Sequence, residues 1–283
     1  MRFFPRLTKL AAMLGQVIEM TDYEEFKKAF YKQSGIDLNL YKEKQMKRRI
    51  TSLVERNGHS GYMSFFFAML NDKELYDSFI NYLTINVSEF YRNPTQWELF
   101  ENVMIPMLEK AKGDLQNVKI WSSACSTGDE PYTIVMILNK YLPLSKIRII
   151  ATDIDLSAIE KAKQGVYPER SIKDLPAGFL SRYFKKIGDS TYKIIDEVKN
   201  CVNFSQLNLL EYDYPKNLDL IVCRNVLIYF TEDAKVNIYK AFNRSLVQGG
   251  ILFLGSTEQI IGSMKFGFKP IHTFFYQKVN NIE

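Results

Sequence analysis

The first part of the chain, from Asp22 to about Leu83, carries apolar residues at helical spacing. Met46, Ile50 and Val54 recur every four residues, which predicts an apolar stripe on an amphipathic helix. Asn57-Gly58 is typical of the end of that helix. Other apolar groups at helical spacing are Tyr23, Phe26, Phe30 and Tyr31; Phe65, Phe66, Met69 and Leu70; and Leu75, Phe79 and Leu83. The pattern predicts a small all-α bundle.

After Lys112-Gly113-Asp114, short apolar runs alternate with helical patterns. The predicted strands are 118–121, 147–151, 202–207, 218–223 and 251–254, and the predicted helices are 131–142, 156–164 and 231–246. A last segment rich in β-favouring residues, 271–278, predicts an antiparallel pair at the sheet edge. The alternation predicts an α/β fold, a parallel sheet with helices on both faces.

Composition narrows the function only slightly. The 283 residues include 46% apolar and 24% charged residues and carry a net charge of +5, which is ordinary for a globular protein and weak for a dedicated nucleic-acid binder. Cys125, Cys201 and Cys223 are far apart, which favours reduced thiols and a cytoplasmic location. Because His59 and His272 are the only histidines, we expect no metal site and no His-based triad.

Residues 1–19 form a basic and then apolar segment that resembles a signal peptide only faintly, because Gln16 and Glu19 interrupt it. A fresh helix start with Thr21 or Asp22 as its cap follows Met20. We therefore expect Met20 to be the natural start and residues 1–19 to be a peripheral extension. No apolar run approaches the length that a transmembrane helix needs.

The stretch IWSSACSTGDEPY, residues 120–132, stands where a nucleotide-binding domain has its glycine-rich turn, yet it contains only Gly128. Its other residues are small enough for a ligand to approach. Asp129 and Glu130 would lie at the helix N-terminus, where two carboxylates repel a phosphate and favour a cationic ligand. The next predicted strand leads to Asp153, which is well placed to accept hydrogen bonds from ribose hydroxyls. A ribose, a positive centre and no phosphate describe S-adenosylmethionine.

A second interpretation is that Glu130 and Asp153 only cap their helices, because acids are common in first helical turns. The sequence alone leaves both interpretations open.

Four motifs nevertheless resemble those of the CheR-type chemotaxis receptor methyltransferases, from about residue 22 to the end of the chain. They are NVSEFYR (86–92), STGDEPY (126–132), TDID (152–155) and CRNVLIYF (223–230). The resemblance implies a class I S-adenosylmethionine-dependent methyltransferase domain of Rossmann-like fold, with a small all-α N-terminal domain and a small β-hairpin insertion. It also implies methylation of glutamate side chains on chemoreceptors.

The resemblance assigns roles by position. The implied cofactor-binding residues are Asn86, Ser88, Arg92, Glu130, Asp153, Asn208, Leu209, Arg224 and Asn225. Asn86, Ser88 and Arg92 resemble a linker that closes over cofactor and substrate, with Ser88 where the family usually has threonine. Glu130 resembles the acid near the methionine portion, Asp153 the ribose ligand, and Asn208-Leu209 the pair that flanks the adenine.

The chemistry itself needs few groups. A glutamate carboxylate is already ionised at neutral pH and needs no general base, which agrees with the scarcity of histidine. Arg92 is the first candidate for orienting the substrate carboxylate, although a surface salt bridge or a contact to the cofactor alone would also explain it. Tyr229 is the second candidate, and its apolar sequence neighbours make a core position an equal alternative.

The helix around Tyr41–Ile50 is basic, and Lys44, Arg48 and Arg49 lie away from its apolar stripe. These residues are either a solvated face or a docking surface for the glutamate-rich helical methylation region of a receptor. We expect receptors to be the only route to the membrane, and we expect no nucleic-acid partner because interleaved stacking aromatics are missing.

A hairpin is predicted at about 184–203, where some family members grip a tethering peptide through a glycine-rich loop. Gly188 is the only glycine there, which favours a form that does not depend on the tether.

The predicted organisation is a helical receptor-docking domain at 20–84, a linker and helix at 85–112, and the methyltransferase domain at 113–283. The alternatives are a methyltransferase for RNA or a small acid, and a non-catalytic sensor that binds the cofactor. The absence of an Asn-Pro-Pro-Tyr signature disfavours amine acceptors, and the missing glycine fingerprint disfavours a dehydrogenase.

Overall fold

The computed structural model describes residues 22–84, 86 and 88–282, and the statements below concern these residues. The predicted extension 1–19 and the predicted start at Met20 lie outside them. The described chain divides into two compact units, with the division between Leu83 and Thr84.

The first unit is helical, as the apolar spacing predicts. Its helices are α1 (22–34), α2 (Glu43–Arg56), α3 (Tyr62–Asn71) and α4 (Lys73–Thr84). The Asp22 carboxylate accepts hydrogen bonds from the Tyr62 and Met63 amides, at 2.6 and 3.2 Å, and so caps α3 from another helix. Gly61 permits this approach, because a Cβ there would lie 2.8 Å from the Asp22 carboxylate.

The core of this unit is aromatic. Phe26, Phe30, Phe65 and Phe79 are completely buried and meet edge to face or stacked, with ring centroids 5.1 to 6.0 Å apart for the Phe26–Phe30, Phe26–Phe79, Phe30–Phe79 and Phe65–Phe79 pairs. Two residues of the predicted apolar groups lie outside this core: Tyr31 is 54% exposed and Leu70 is 45% exposed. Each directly follows a buried position, and one residue turns a helix by about 100°, which points the side chain away from the bundle.

The second unit contains two sheets. Its strands are β1 (Ile120–Ser122), β2 (Ile149–Asp153), β3 (Val166–Pro168), β4 (Phe184–Gly188), β5 (Thr191–Ile194), β6 (Val202–Gln206), β7 (Leu218–Cys223), β8 (Leu246–Leu254), β9 (Phe268–His272) and β10 (Phe275–Lys278). The large sheet has the order β6-β2-β1-β7-β8-β10-β9, and the small sheet has the order β3-β5-β4.

The helices of this unit cover the large sheet and fill the connections. They are α5 (Pro94–Leu99), α6 (Ile105–Lys112), α7 (Asp129–Leu138), α8 (Leu156–Gln164), α9 (Phe179–Tyr183), α10 (Asp196–Lys199) and α11 (Glu232–Ser245). A π-helical turn, Phe100–Met104, joins α5 to α6. The α/β fold with a small β insertion is confirmed.

The strand order of the large sheet reverses between β1 and β7. From β1 the chain adds β2 and then β6 on one side, and later places β7 and β8 on the other side, all of them parallel. Ligands of open parallel sheets bind at such a switch point, beyond the carboxyl ends of the strands. The segments that follow β1 and β7 therefore lie side by side at the place where a ligand is expected.

Several element bounds differ from the predicted ones by one or two residues, as those of β1 and β2 do, and three differences are larger. The predicted helix 131–142 begins earlier, at Asp129, and ends at Leu138. The predicted strand 251–254 extends back to Leu246, because a register irregularity against β7 accommodates Gly249 at φ +80°. The predicted segment 271–278 is divided between β9 and β10, since Phe274 takes a left-handed turn conformation with φ +67°.

No helix in the described part of the chain has the length and apolarity that a membrane crossing requires.

Candidate active site

The turn between β1 and α7 depends on its single glycine. Gly128 has φ +90°, and a Cβ there would lie 2.9 Å from the Ala162 Cβ and 3.0 Å from the Tyr132 ring. The Tyr167 hydroxyl donates to the Thr127 carbonyl at 2.7 Å, so the small sheet helps to hold the turn. Position 128 therefore requires glycine, both for its backbone conformation and for its close neighbours.

The two acids after Gly128 have different environments, which corrects the expectation that both line the crevice. Asp129 is completely buried, and its carboxylate accepts from the Thr127 hydroxyl at 2.6 Å and from the Ser88 side chain. Burial raises the pKa of Asp129 to about 6, although these hydrogen bonds oppose the rise. Asp129 therefore holds the segment containing Ser88, and Glu130 alone retains exposure, with 11% of its side chain accessible.

Glu130 lies at the first turn of α7, beside the ends of β1 and β7. Its carboxylate accepts from the Ser122 hydroxyl at 2.8 Å and lies 3.7 Å from the Arg224 guanidinium. Burial raises the pKa of Glu130 to about 7, and Arg224, Ser122 and Arg92 each oppose that rise. The cations beside Glu130 thus only partly offset its burial, which leaves a carboxylate that a further positive charge would stabilise.

Asp153 ends β2, one strand away from β1. Its two carboxylate oxygens accept from the Ser126 amide at 2.8 Å and the Asp155 amide at 3.0 Å. Burial raises the pKa of Asp153 to about 6, and these backbone bonds oppose the rise. The Ile154 amide also bonds this carboxylate, and since a carboxylate has about four acceptor sites, about one remains for a ligand.

Asn86 joins the turn after β1 to the segment after β2. Its amide nitrogen donates to Asp155 at 2.6 Å, and its oxygen accepts from the Ser126 hydroxyl at 3.1 Å. Ser126 makes these contacts from a left-handed backbone with φ +46°. Two of the predicted cofactor residues, Asn86 and Asp153, are thus connected through Ser126 at the carboxyl ends of β1 and β2.

Asn208 and Leu209 follow β6, the neighbour of β2. The Leu207 amide donates to the Asp153 carbonyl at 3.0 Å, which fixes this segment beside Asp153. The Asn208 side chain accepts from the Leu210 amide at 3.0 Å and thereby caps a short 3₁₀ turn, in which Leu209 is buried.

Arg224 is a buried cation at the end of β7. Its guanidinium donates to the Arg92 carbonyl at 2.7 Å and to the Gln96 side chain at 2.9 Å. It also lies 4.9 Å from the centroid of the Trp97 ring and 5.0 Å from that of the Phe253 ring. Only 3% of its side chain is exposed, so Arg224 stabilises the neighbouring site residues and leaves little of its own surface open to a ligand.

Arg92 is half-buried and is presented by an unusual backbone. Tyr91 and Asn93 on either side have φ of +54° and +61°, and the Arg92 carbonyl also accepts from the Trp97 indole at 3.1 Å. The Arg92 charge opposes the rise in the Glu130 pKa and lowers that of Arg224, so it lies close to both. Non-glycine residues in this conformation cost energy and are found where a neighbouring side chain must be held in place.

The segment after β7 carries Asn225 and Tyr229. Asn225 has φ +62°, and Tyr229 lies in a 3₁₀ turn, Leu227–Tyr229. Both side chains are half-buried, whereas Leu227 between them is buried. For Tyr229 this accessibility agrees better with a place at the site mouth than with a core position.

Several residues of this region escaped the sequence analysis. Glu258, Ser122, Ser126, Gln96 and Trp97 all hold predicted site residues through hydrogen bonds or ring contacts. Ser126 begins the motif STGDEPY and Ser122 precedes it by four residues, so their position in the sequence could have identified them as site residues. Glu258 lies in a loop after β8 without any spacing that indicates its partner.

The three basic docking candidates, which lie in the first unit, do not share one environment. Lys44 and Arg48 are exposed on α2. Arg49 is half-buried, donates to the Tyr82 carbonyl and lies 4.5 Å from the centroid of the Tyr82 ring. The guanidinium of Arg49 thus ties α2 to the end of α4, and its part in a docking surface stays a prediction.

The residues of the crevice fit S-adenosylmethionine. Glu130 offers an incompletely neutralised carboxylate for a sulfonium, and Asp153 offers a remaining acceptor site for a hydroxyl. Among the residues that the structure describes, no cluster of three or more His, Cys, Asp or Glu side chains could hold a metal ion.

Comparison with known proteins gives two family matches that together cover most of the chain. Residues 86–275 match the model described as "CheR methyltransferase, SAM binding domain". Residues 21–84 match "CheR methyltransferase, all-alpha domain".

Curated relatives are similar over nearly their whole length. A chemotaxis protein methyltransferase of Listeria innocua is 39% identical over 258 residues, which is 91% of this chain and 97% of the relative. Chemotaxis protein methyltransferase 2 of Vibrio cholerae is 36% identical, over 86% of this chain and 87% of the relative. The chemotaxis protein methyltransferase of Borreliella burgdorferi is 32% identical, over 83% and 87%.

Proposed function

Since the chain belongs to the CheR methyltransferase family, we propose that it transfers a methyl group from S-adenosylmethionine to glutamate side chains of chemoreceptors. The products are glutamate methyl esters and S-adenosylhomocysteine, and the reaction serves adaptation in chemotaxis. The observation that carries the proposal is the partly exposed Glu130 carboxylate at the switch point, with Asp153 at the end of the adjacent strand.

The positions of these groups support the cofactor roles that we propose. Glu130 faces the positive methionine end, and Asp153 accepts from a ribose hydroxyl through the site that its backbone partners leave free. Asn208 and Leu209 flank the adenine, since they follow the strand next to Asp153. Asn86 closes over the cofactor through its bonds to Ser126 and Asp155. Asn225 lines the opposite wall, after β7.

Ser88 and Arg224 contribute less directly. The Ser88 side chain bonds the buried Asp129 and so fastens the closing segment. Arg224 sets the position of Arg92 by donating to its carbonyl. Both residues are proposed to support cofactor binding through these partners.

Arg92 and Tyr229 act on the substrate. The planar guanidinium of Arg92 orients the glutamate carboxylate by hydrogen bonds, and Tyr229 lies beside the path of the methyl group. Bound S-adenosylmethionine supplies the electrophilic methyl carbon. The carboxylate is already ionised, so these residues contribute alignment and exclusion of water, without a general base.

Receptor docking is proposed for the exposed basic face of α2, represented by Lys44 and Arg48. A glutamate-rich receptor helix complements these charges, and such complementarity mainly accelerates encounter. We infer that the enzyme acts in the cytoplasm and reaches the membrane only through receptors.

One assay tests the proposed function. The protein is incubated with methyl-labelled S-adenosylmethionine and membranes that contain chemoreceptors, and the receptor band is analysed for base-labile label. We expect label that is released as methanol by mild alkali. Membranes without receptors serve as the control. Label in RNA or in a small acid, with unlabelled receptors, would contradict the proposed substrate.

A further inference from the structure

Glu258 is a buried acid in the loop after β8, and the roles proposed above do not use it. It is 5% exposed, and its carboxylate accepts hydrogen bonds from the backbone amides of Asn225, Gly255, Leu227 and Ile228. One oxygen accepts from Asn225 at 2.7 Å and from Gly255 at 2.9 Å, and the other accepts from Leu227 at 2.7 Å. An acid with this many backbone partners is built to hold a segment of chain.

The segment that Glu258 holds is the one that carries the active-site candidates after β7. Asn225 stands in the left-handed region with φ +62°, a conformation that a non-glycine residue keeps only when its surroundings fix it. The amides of Asn225 and Leu227 flank Val226, and the 3₁₀ turn that begins at Leu227 ends at Tyr229. The carboxylate therefore determines where Asn225 and Tyr229 lie.

Gly255 provides the space for this arrangement. A Cβ at Gly255 would lie 2.5 Å from the Glu258 carboxylate and 2.8 Å from the Asn225 amide nitrogen. No side chain fits between the end of β8 and the segment after β7. The two loops are thus joined by a carboxylate, in place of apolar packing.

We infer that Glu258 is a positioning residue for methyl transfer, which fixes the backbone of residues 225–228 so that Asn225 and Tyr229 meet the cofactor and the substrate. The inference rests on the proposed function. Glu258 touches neither ligand in this account and acts through the backbone amides alone.

Glu258→Gln tests the inference with little change in volume. The side-chain NH2 group of the glutamine would take the place of one carboxylate oxygen. It would then face the Leu227 amide, or the amides of Asn225 and Gly255, and two hydrogen-bond donors would oppose each other. We expect kcat to fall by about tenfold to hundredfold, as displacement of a reacting group by about 1 Å typically does. The receptor KM changes little, since docking lies elsewhere on the chain.

Asp219→Asn is the matched control. Asp219 is also buried, lies on β7 near its opposite end, and binds the Lys119 amide at 2.9 Å and the Lys112 ammonium at 3.0 Å. Both variants remove one buried carboxylate that anchors β7 or its extension. We expect Asp219→Asn to lower the melting temperature and to leave kcat unchanged. An equal loss of kcat in both variants, in proportion to their folded fractions, would overturn the inference.

Hydrogen exchange of the wild-type protein gives a second test that needs no variant. The Asn225 and Leu227 amides should exchange as slowly as those of regular β7 residues, because Glu258 accepts from both. Rapid exchange at either amide overturns the inference. Slow exchange in a protein that methylates no receptor would contradict the proposed function while supporting the role of Glu258 in fixing this segment.

Discussion

The Arg224 guanidinium donates to the main-chain carbonyl of Arg92 at 2.7 Å and so joins the end of β7 to the segment before α5. These two cations lie 132 positions apart in sequence, and both are close to Glu130. Arg224 is buried and Arg92 is half-buried. Arg224 fixes the backbone from which the Arg92 side chain reaches the crevice.

Replacement of Arg224 tests this support. Arg224→Met removes the donors to Arg92 and Gln96 and leaves Glu130 without its nearest cation. We expect a loss of about 3 to 5 kcal/mol in the free energy of unfolding, the usual effect of breaking a buried pair from one side. Chemical denaturation measures this loss of stability. Calorimetry should also show weaker binding of S-adenosylhomocysteine.

Lys278→Met is the control for Arg224→Met. The Lys278 ammonium is also buried and donates to the carbonyls of Asn243 and Leu246, remote in sequence from every candidate site residue. The Lys278→Met substitution should lower the free energy of unfolding without changing the cofactor affinity of the folded protein. Unchanged stability and affinity in Arg224→Met would show that Arg224 supports nothing.

Arg92→Ala separates orientation of the substrate from binding of the cofactor. We expect calorimetry to show measurable S-adenosylhomocysteine binding, while kcat falls by about a hundredfold because the substrate carboxylate is no longer aligned. Arg170→Ala, which removes an exposed arginine of the same unit, should have wild-type kinetics. Wild-type turnover in Arg92→Ala would remove Arg92 from the mechanism.

The raised pKa of Glu130 predicts a specific pH dependence. In the folded protein without cofactor this pKa is about 7, above the ordinary value of 4.5, so the folded state binds more protons than the unfolded state between these values. The contribution of Glu130 to stability is present below pH 4.5 and is lost as pH rises to 7. Relative to Glu130→Gln, wild-type stability should fall by about 1 to 3 kcal/mol across this window.

Cofactor binding should show the opposite trend. A sulfonium favours the ionised Glu130, so the affinity for S-adenosylmethionine should rise from pH 5.5 to 8, relative to that for S-adenosylhomocysteine, whose sulfur carries no charge. Calorimetry in buffers of different ionisation enthalpy detects the released proton. Identical pH profiles for the two ligands would place the sulfonium away from Glu130.

The docking surface predicts an electrostatic effect on receptor recognition. Reversal of Lys44 and Arg48 to glutamate should raise the receptor KM, and the salt dependence of KM should decrease. Reversal of Lys28 and Lys32, two exposed lysines four residues apart on α1, changes the same charge on another helix and should have little effect. An unchanged KM in the Lys44 and Arg48 variant would support a merely solvated face.

The small sheet predicts independence from a receptor tether. Only Asp189 and Ser190 join β4 to β5, which leaves little backbone for gripping a peptide. Deletion of the last residues of a receptor should therefore leave its methylation rate unchanged. A large rise in KM on deletion would show that this sheet grips the tail in spite of its short turn.

The periodicity of apolar residues predicted the elements whose ends are set by residues nearby in the sequence. The helix 156–164 matches because the Asp155 side chain accepts from the amides of Ser157 and Ala158 and Gly165 stops the helix. The strand 218–223 matches because every residue of it is buried. Local patterns of this kind are visible in the sequence.

Pairings between distant segments could not be predicted in this way. Arg49 shares the charge of Lys44 and Arg48, and only the position of α4 turns it into a structural contact. Asp129 and Glu130 are neighbours with the same charge, yet the rotation of about 100° between consecutive helix residues places Asp129 in the protein interior. Glu258 has no motif at all, because its partners are backbone amides, which any sequence supplies.

The three thiols of the chain, Cys125, Cys201 and Cys223, are all buried, with at most 2% exposure. A single cysteine introduced on the outer face of α2 would therefore be the only one open to a maleimide dye in the native protein. Fluorescence from that dye would report receptor association in real time, and no native cysteine would have to be removed beforehand.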